Sequence, residues 1–449
     1  MMFDLVVRNG RVVTPEGIAP ATLGVKGGTI AALVPPGEDV TGRDAIDAAG
    51  KLLLPGLVDA HSHIPGFVLP SPEEDFDSAT RAAAAGGVTT VLLMPTDKPR
   101  TDTAATFALK KASGEGRAHV DYALQAVAGP ATESLVELMD QGPVSFEIFL
   151  AYGGNPDFMI GADDYELARV LRLVAAVDAL AGITPHSPSL IARLTAEQKK
   201  VVAPTLETRA LTRPVLSEAL GISRACTVAA ETGTRIHLRG LSARRSLDIV
   251  ARFRDLVPLS TEVMSHHLLF DAEDAKRMGA YGVITPPLRS SADRAALRAA
   301  ARRGEIDMAV SDHSPGLRAE KERGQADIWA TPPGMPGLQT LCASLLALVD
   351  DGQLTLPDLV RLGCENPARR FGLFPRKGVL APGADADIVI VDPAAATLIR
   401  DSDQHSKADY TTLAGRTIDW TLERVLLRGR TIFHQGSFPS QPSGRFVRP

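Results

Sequence analysis

The sequence has few cysteines, no long apolar run and little excess charge, and each absence excludes a class of protein. Three cysteines, Cys226, Cys342 and Cys364, are scattered along 449 residues without the spacing of a metal-binding cluster. So few cysteines argue against a disulfide scaffold and fit a reducing cytoplasm. No stretch approaches the roughly twenty apolar residues of a membrane-spanning helix. The N-terminal residues also lack the basic segment followed by an apolar run that is typical of a signal peptide. We therefore predict a cytoplasmic protein without a membrane partner.

The charge balance gives no indication of a nucleic-acid partner either. The formal net charge is −5, and charged residues make up 22% of the chain. Surfaces that bind nucleic acid or anionic lipid carry a clear excess of Lys and Arg. The length of the chain allows one large catalytic domain and a smaller partner domain.

The middle of the chain has the texture of a parallel barrel. Short apolar segments alternate there with helical stretches rich in Ala, Leu and Arg. Candidate strands fall at residues 57–59, 89–94, 121–127, 146–150, 182–186, 235–238, 261–265 and 308–311. Strands separated by helices in this number predict an α/β fold, the (β/α)8 TIM barrel. A doubly wound sheet is the alternative, but no Gly-rich dinucleotide fingerprint follows the first strand.

Both ends of the chain are rich in β-type sequence. Near the N-terminus, apolar pairs flank Asn9-Gly10, a turn dipeptide that predicts a hairpin. After about Phe374, further apolar strands appear, two of them around a turn at Gly429. Such strands need a partner for their apolar faces. We predict that residues 1–54 and 375–449 form one small β-sandwich domain and that residues 55–374 form the catalytic barrel.

Four histidines and one aspartate fall at or near the ends of candidate strands. His61 and His63 lie two residues apart after the first strand, so their side chains point to the same face. His186 ends the fifth strand, His237 falls near the end of the sixth, and Asp312 lies at the end of the eighth. Active sites of this fold lie at the C-terminal ends of the strands, so these residues are expected at one mouth. Their imidazoles and carboxylate predict a divalent metal site.

A divalent ion in such a site can activate both reactants of amide hydrolysis, the carbonyl group and the water molecule. An amide carbonyl is a poor electrophile, and neutral water is a poor nucleophile. The ion polarises the carbonyl and lowers the pKa of water towards 7. We expect Asp312 to bind the ion through one oxygen and to take a proton from water with the other. Zinc is the favoured ion, with manganese, cobalt and iron as alternatives, and one or two ions per chain are open.

Five blocks of sequence occur in a characteristic order along the chain. They are residues 54–63 (LPGLVDAHSH), 86–90 (GGVTT), 285–289 (TPPLR), 311–315 (SDHSP) and 382–387 (PGADAD). Together they resemble the cyclic amidohydrolases, the family of dihydroorotase, allantoinase, hydantoinase and dihydropyrimidinase. The resemblance covers nearly the whole chain. It implies a barrel with a β-sandwich, hydrolysis of a ring C–N bond in a small cyclic amide, imide or ureide, and a homo-oligomer, either a dimer or a tetramer.

The resemblance also assigns roles to single residues. The metal ligands that it implies are His61, His63, His186, His237 and Asp312. Tyr152, five residues after Glu147, matches the tyrosine that hydantoinases aim at the developing oxyanion, and packing at the barrel rim is its alternative role. Arg239 is expected to bind an acidic or ureido oxygen of the substrate, with a solvated loop arginine as the alternative. His313 is also assigned to substrate binding.

Glu147 departs from the pattern of the family. It stands where two-metal members carry a lysine whose carbamate bridges the ions. A glutamate side chain is shorter by three bonds, roughly 4 Å of reach. We assign Glu147 to the metal site and expect an altered centre with one tightly held ion. An ion pair with a neighbouring arginine is the alternative, because buried acids are usually paired.

Two further departures bear on the substrate and on the sixth strand. Pro65 stands where dihydroorotases carry an arginine for the substrate carboxylate, which disfavours the dihydroorotase alternative and favours the hydantoinase and allantoinase branch. After His237, the residues Leu238-Arg239-Gly240 replace a usual Leu-Ser-Ser continuation.

A non-catalytic relative that serves as a binding or assembly protein is the competing prediction. A relative that has lost its activity is expected to lack several of the metal ligands. This chain keeps four histidines and an aspartate at the expected positions. Because function has to be argued from the site and not from the fold, we predict a metal-dependent hydrolase.

Overall fold

The computed structural model describes residues 2–35, 37–38, 40–68, 71–151 and 159–449. The strands are β1 (Phe3–Thr14), β2 (Gly17–Lys26), β3 (Thr29–Val34), β4 (Gly42–Asp47), β5 (Leu52–Pro55), β6 (Leu57–Ser62), β7 (Val88–Leu93), β8 (Asp121–Leu124), β9 (Ala126–Val127), β10 (Phe146–Phe149), β11 (Leu180–Thr184), β12 (Arg235–Leu238), β13 (Leu259–Met264), β14 (Met308–Val310), β15 (Ile388–Asp392), β16 (Thr397–Leu398), β17 (Thr417–Ile418), β18 (Thr421–Leu427) and β19 (Arg430–His434). The α-helices are α1 (Phe76–Ala85), α2 (Ala104–Gly114), α3 (Val136–Gln141), α4 (Asp164–Ala176), α5 (Pro188–Gln198), α6 (Leu206–Ala210), α7 (Val215–Thr232), α8 (Arg244–Phe253), α9 (Ser265–Leu269), α10 (Ala272–Met278), α11 (Ser291–Arg303), α12 (Arg318–Gly324), α13 (Leu341–Asp350), α14 (Leu356–Val360) and α15 (Asn366–Arg370).

The two ends of the chain meet in one sheet. Its strands run in the order β19-β18-β15-β5-β1-β2-β3, with β4 alongside β1. The antiparallel pairing of β15 with β5 places Val389 opposite Leu54 and so joins the C-terminal segment to the N-terminal one. A separate apolar core that includes Leu23, Leu53 and Ile388 lies on one face of this sheet. The domain boundaries at residues 54 and 375 stay a prediction.

The hairpin predicted at Asn9-Gly10 does not form there. Strand β1 runs through both residues, and its register with β2 shifts between Val7 and Gly10. Asn9 has a φ of +55°, a left-handed conformation that asparagine tolerates better than most residues. The dipeptide therefore produces a bulge within a strand.

Strands β6 to β14 form the parallel barrel. One sheet runs β6-β7-β8 and another runs β14-β13-β12-β11-β10-β9, with β8 and β9 separated by Gln125. The barrel closes where the amide of His63 donates to the carbonyl of His313 at 2.7 Å. Each of the eight predicted strands is present, and the predicted TIM barrel is confirmed. In neighbouring strands Glu147 is paired with Gly182, which is paired in turn with His237.

Local sequence signals fix where the outer helices begin and end. Helix α1 begins after Asp75, whose side chain accepts a hydrogen bond from the amide of Ser78 at 2.8 Å. Such a cap satisfies a backbone donor that has no partner within the helix. Helix α7 ends at Gly233 with a φ of +70°, a conformation that favours glycine. The turn at Gly233 leads directly into β12. Among the residues that the structure describes, no helix combines the length and the apolar character needed to cross a membrane.

Candidate metal centre

Three side chains converge at the C-terminal mouth of the barrel. His61 is the next-to-last residue of β6 and His63 follows that strand, while Asp312 lies two residues after β14. The Oδ1 atom of Asp312 lies 3.3 Å from Nε2 of His61 and 3.5 Å from Nε2 of His63. Their ligand atoms all lie within 4.8 Å of one another, close enough to share one ion. Asp312 has a φ of +46°, a strained conformation of the kind that accumulates at functional sites.

The far nitrogen of each imidazole is held by another residue. Nδ1 of His61 lies 2.5 Å from Oε1 of Glu262, and Nδ1 of His63 lies 3.1 Å from the hydroxyl of Thr96. Partners of this kind fix the tautomer and the ring orientation of a metal-ligating histidine. With Nδ1 as the donor in both rings, each Nε2 presents its lone pair to the space beside Asp312.

The charges around His61 and Asp312 reinforce each other. Burial alone lowers the pKa of His61, but the carboxylates of Glu262 and Asp312 outweigh it and raise the pKa above its usual value. Burial alone raises the pKa of Asp312, but His61 and His63 bring it below the usual value. The carboxylate is therefore ionised at neutral pH, as a metal ligand must be.

His186 lies at the same mouth but outside this group of three. It follows β11, is buried, and lines the same cavity as His61 and His63. Its Nδ1 atom has no hydrogen-bond partner among the described residues. Burial, together with Arg213 and Arg289, lowers the pKa of His186 to about 3, so the ring is neutral. A neutral imidazole with an unsatisfied nitrogen at a cavity wall is suited to bind an ion, water or substrate.

Glu147 is paired with Arg239 and lies outside the group of three. Its Oε1 and Oε2 atoms accept hydrogen bonds from Nη2 and Nε of Arg239 at 2.7 and 3.0 Å. Gly182 on the neighbouring strand leaves room for this pair, because a Cβ there would lie 2.0 Å from Oε1 of Glu147. This placement differs from the predicted ligand role and corresponds to the alternative of an ion pair. It also differs from both roles predicted for Arg239, which is neither solvated nor left with a donor for substrate.

His237 contacts other side chains of the barrel below its mouth. Its Nδ1 lies 2.7 Å from the hydroxyl of Ser260, and its Nε2 lies 2.9 Å from Oε2 of Glu262. Both ring nitrogens are therefore occupied by the protein. His237 lies within β12, whereas Gly240, just past the end of that strand, lines the cavity. The predicted ligand role of His237 has no free nitrogen to support it.

His313 is likewise turned away from the substrate side. Its Nδ1 accepts a hydrogen bond from the amide of Gly337 at 3.1 Å, and its Nε2 lies 3.3 Å from Oε2 of Glu74. The side chain is fully buried. His313 therefore anchors the loop after β14, in contrast to the predicted substrate contact. Tyr152, the predicted oxyanion donor, lies outside the described residues.

Sequence reasoning missed Glu262, which lies in the wall of the site. It is fully buried on β13 and contacts His61, His237 and Arg239 at once. Burial raises its pKa, but Arg239 and the histidines outweigh burial and hold the pKa well below the usual value. An acidic residue inside a predicted barrel strand was the signal available in the sequence, because a buried carboxylate needs partners.

Two adjoining cavities lie at the mouth. The smaller one measures about 180 Å³ and is lined by His61, His63, His186 and Asp312 among others. The larger one measures about 610 Å³, within the usual range for small-molecule sites. Both cavities share the lining residues Ala151, Arg213 and Thr285. The walls of the larger cavity are mostly apolar and include Ile191, Leu206, Ile284, Leu288 and Trp329.

The donor set fits a divalent metal ion. Two imidazole nitrogens and one carboxylate oxygen face the same point, and His186 adds an unsatisfied nitrogen at the same cavity. Nitrogen and oxygen donors of this kind suit zinc, manganese, cobalt and iron. Three protein ligands that leave an open position are typical of catalytic sites, in contrast to closed structural ones.

The chain matches the model of the amidohydrolase family over residues 52–432. It is 36% identical to an allantoinase of Rubrobacter xylanophilus, over 100% of this chain and 98% of that protein. It is 32% identical to a D-hydantoinase of Ralstonia pickettii, over 99% and 98% of the two chains. The structure of an L-hydantoinase (dihydropyrimidinase) from Arthrobacter aurescens superposes with a TM-score of 0.94 at 30% identity, covering both chains completely.

Proposed function

The chain belongs to the amidohydrolase family, and from this premise we propose that it uses one divalent ion to open the C–N bond of a cyclic amide with an apolar substituent. That the chain is a cyclic-amide hydrolase follows from its full-length similarity to hydantoinases and an allantoinase. The competing prediction of a non-catalytic relative is thereby set aside. The observation that carries the proposal is the convergence of His61, His63 and Asp312 on one wall of the cavity.

The side chains at the mouth have separate roles in the proposed reaction. When bound among these donors, a divalent ion polarises the amide carbonyl and lowers the pKa of water. Asp312 directs Oδ1 towards the two histidines, which leaves Oδ2 to accept a proton from the attacking water. The same oxygen then returns the proton to the departing ring nitrogen. In this proposal Tyr152 keeps its role as the donor to the oxyanion.

The larger cavity supports the choice of substrate. The ring has to lie in the smaller cavity beside Asp312, and its substituent extends past Ala151 and Thr285 into the larger one. Apolar walls stabilise an aryl or alkyl group through burial. The ureido group of allantoin can be satisfied only by the polar minority of this lining, which includes Arg213 and Thr285, and each polar atom left unsatisfied costs about 1–3 kcal/mol. We therefore expect 5-aryl and 5-alkyl hydantoins or dihydropyrimidines to be better substrates than allantoin.

The test is a substrate screen combined with one variant of the larger cavity. Metal-loaded protein is assayed with unsubstituted hydantoin, 5-phenylhydantoin, dihydrouracil, allantoin and cyclic imides. In Ala210→Phe the new ring enters the larger cavity, and overpacking of about 1.4 kcal/mol corresponds to a tenfold loss of kcat/KM for the phenyl substrate. The unsubstituted ring should be hydrolysed as before, and Ala251→Phe on the exposed face of α8 is the control.

Each outcome of this screen is informative. No hydrolysis of any ring by metal-loaded protein would refute the hydrolase proposal. Preference for allantoin, or equal losses for both rings in Ala210→Phe, would refute the substituent and leave the hydrolase in place. Dihydroorotate should be a poor substrate, because Pro65 offers neither charge nor donor to its carboxylate.

The proposal also covers the metal ion, the assembly and the location of the protein. We propose zinc as the ion, supported by the two imidazole donors, and elemental analysis tests it. We propose a homo-oligomer, either a dimer or a tetramer, supported by several exposed apolar side chains between residues 201 and 220, namely Val201, Val202, Leu211, Leu216 and Leu220. Light scattering measures the assembly. The three cysteines are buried and unpaired, which supports a cytoplasmic location.

A further inference from the structure

The guanidinium of Arg239 has no donor left for a ligand. Nε and Nη2 donate to Glu147 at 3.0 and 2.7 Å, and Nη1 donates to Oε2 of Glu262 and the carbonyl of Ala60 at 2.8 and 3.1 Å. Nη2 also donates to Oε1 of Gln125. These contacts use the five N–H donors of an arginine side chain. Arg239 lines the cavity, yet its hydrogen bonds all go to the protein.

The charges of the connected side chains leave room for one divalent ion. Glu147, Glu262 and Asp312 contribute three negative charges, and Arg239 offsets one of them. When His61 is neutral, as a metal ligand is, two net negative charges remain within this connected set, and a single divalent cation between His61, His63 and Asp312 balances them. Buried charges that lack a partner are strongly destabilising, so a second divalent ion beside Arg239 would be disfavoured.

Glu262 connects the guanidinium to the metal ligands. Its Oε2 accepts from Arg239 and contacts His237, which holds the carboxylate in place. Its Oε1 is thereby directed to Nδ1 of His61, and the opposite nitrogen of that ring faces Asp312. The orientation of His61 is consequently set by a chain of contacts that begins at Arg239.

We propose that Arg239 is a fixed internal cation of this centre, which neutralises Glu147 and Glu262 and thereby limits the site to one metal ion. In this arrangement Glu147 serves to hold the guanidinium and is not a ligand. Glu262 is a positioning residue that acts through His61. This inference rests on the proposed metal-dependent function, but it concerns the number and affinity of ions and can fail separately.

The test counts manganese ions bound to the full-length protein by equilibrium dialysis. Wild type should bind one equivalent. In Arg239→Ala the oxygens of Glu147, Glu262 and Gln125 lose their cation and surround a space that suits an oxygen-ligated ion, so we expect a second equivalent. Arg289→Ala is the matched control, because it uncovers the single buried carboxylate of Glu218 and should add no ion. A folded Arg239→Ala that still binds one equivalent would overturn the proposal.

Two conservative variants test the proposed roles of Glu147 and Glu262 even if Arg239→Ala does not fold. Glu147→Gln should retain one equivalent with an affinity within about threefold of wild type, measured by competition with a chelator. Glu262→Gln should weaken that affinity by about 10–100-fold, the usual effect of losing the partner of a metal-ligating histidine. A loss in Glu147→Gln as large as that in Glu262→Gln would show that Glu147 is a ligand and refute the inference. Wild type that binds no ion and hydrolyses no ring would instead refute the proposed function.

Discussion

Among the described residues, two groups of side chains have the spacing of a metal site, one at each end of the barrel. At the mouth, His61, His63 and Asp312 face a cavity. At the other end, Asp121 begins β8 and meets Asp385 and Asp387, which precede β15. The second group already contains a cation, since Nζ of Lys377 lies 2.6, 2.8 and 2.7 Å from the three carboxylates.

The difference between the groups shows what makes a cluster of ligands a metal site. Burial alone lowers the pKa of Lys377, but Asp387, Asp121 and Asp385 outweigh it and raise the pKa above its usual value, so the ammonium stays charged. Arg428 also pairs with Asp121. Lys377 and Arg428 therefore offset two of the three carboxylate charges in this lower group, which connects the barrel to the terminal β sheet. In the group at the mouth, the carboxylate of Asp312 pairs with two histidines and faces a cavity.

The largest effect is expected from removing the carboxylate at the mouth. Asp312→Asn keeps the size of the side chain but cannot accept a proton, so hydrolysis of 5-phenylhydantoin should fall by at least about 10²-fold while the circular dichroism spectrum is unchanged. Asp385→Asn in the lower group should retain its activity per folded molecule. Near-normal turnover by Asp312→Asn would exclude it as the base and remove the functional contrast between the two ends.

A second large effect is expected on stability, from the lower group. Lys377→Met leaves two buried carboxylates, Asp121 and Asp387, and the partly buried Asp385 with Arg428 as the remaining cation, and the free energy of unfolding should fall by about 3–5 kcal/mol. Lys51→Met is the matched control, because Lys51 pairs with Glu423 and Asp392 at partly exposed positions and should cost at most about 1 kcal/mol. Urea titration measures both. Equal losses would mean that the buried group has no special structural role.

The smallest effect concerns a third buried cation, Lys321, which has no carboxylate within salt-bridge distance among the described residues. Its Nζ donates to the carbonyls of Pro332 and Gly334, both at 2.8 Å. Burial lowers its pKa from 10.5 to about 7. Between these two values the unfolded chain binds the proton and the folded chain does not, so stability should rise with pH by at most about 1.4 kcal/mol per unit.

The measurement is urea unfolding of wild type and Lys321→Met at several values between pH 7 and pH 10. The difference between the two proteins should change in favour of wild type as the pH rises. A difference that does not change with pH would show that the carbonyls keep Lys321 charged, as the carboxylates keep Lys377 charged.

Much of the fold follows from the sequence, because short apolar segments separated by helices have few other arrangements. His61, His63 and Asp312 could also be predicted from the sequence, since each lies at or just after the end of an apolar strand. The bulge at Asn9-Gly10 was not, because the same dipeptide supports either a hairpin or an irregular strand. The pairing of β1 with its neighbours decides between them.

The contacts of Glu147 and His237 could not be derived from local patterns. Glu147 and Arg239 are 92 residues apart, and the closure of the barrel brings them together. Gly182 was the available signal, because a residue without a side chain opposite a buried glutamate leaves room for a large partner. On the sixth strand, Leu241-Ser242 lies three residues after the position at which a Leu-Ser pair was expected. This shift moves the ligand position from His237 to Gly240.

The central claim is that the enzyme works with one ion held at the mouth by His61, His63 and Asp312. Elemental analysis of protein purified without chelator, combined with hydrolysis assays on the same samples, tests this claim most directly. We expect one equivalent of metal per chain at full activity, loss of activity when the ion is removed, and recovery when one equivalent is returned. Two equivalents at full activity, both lost in Glu147→Gln, would contradict the account.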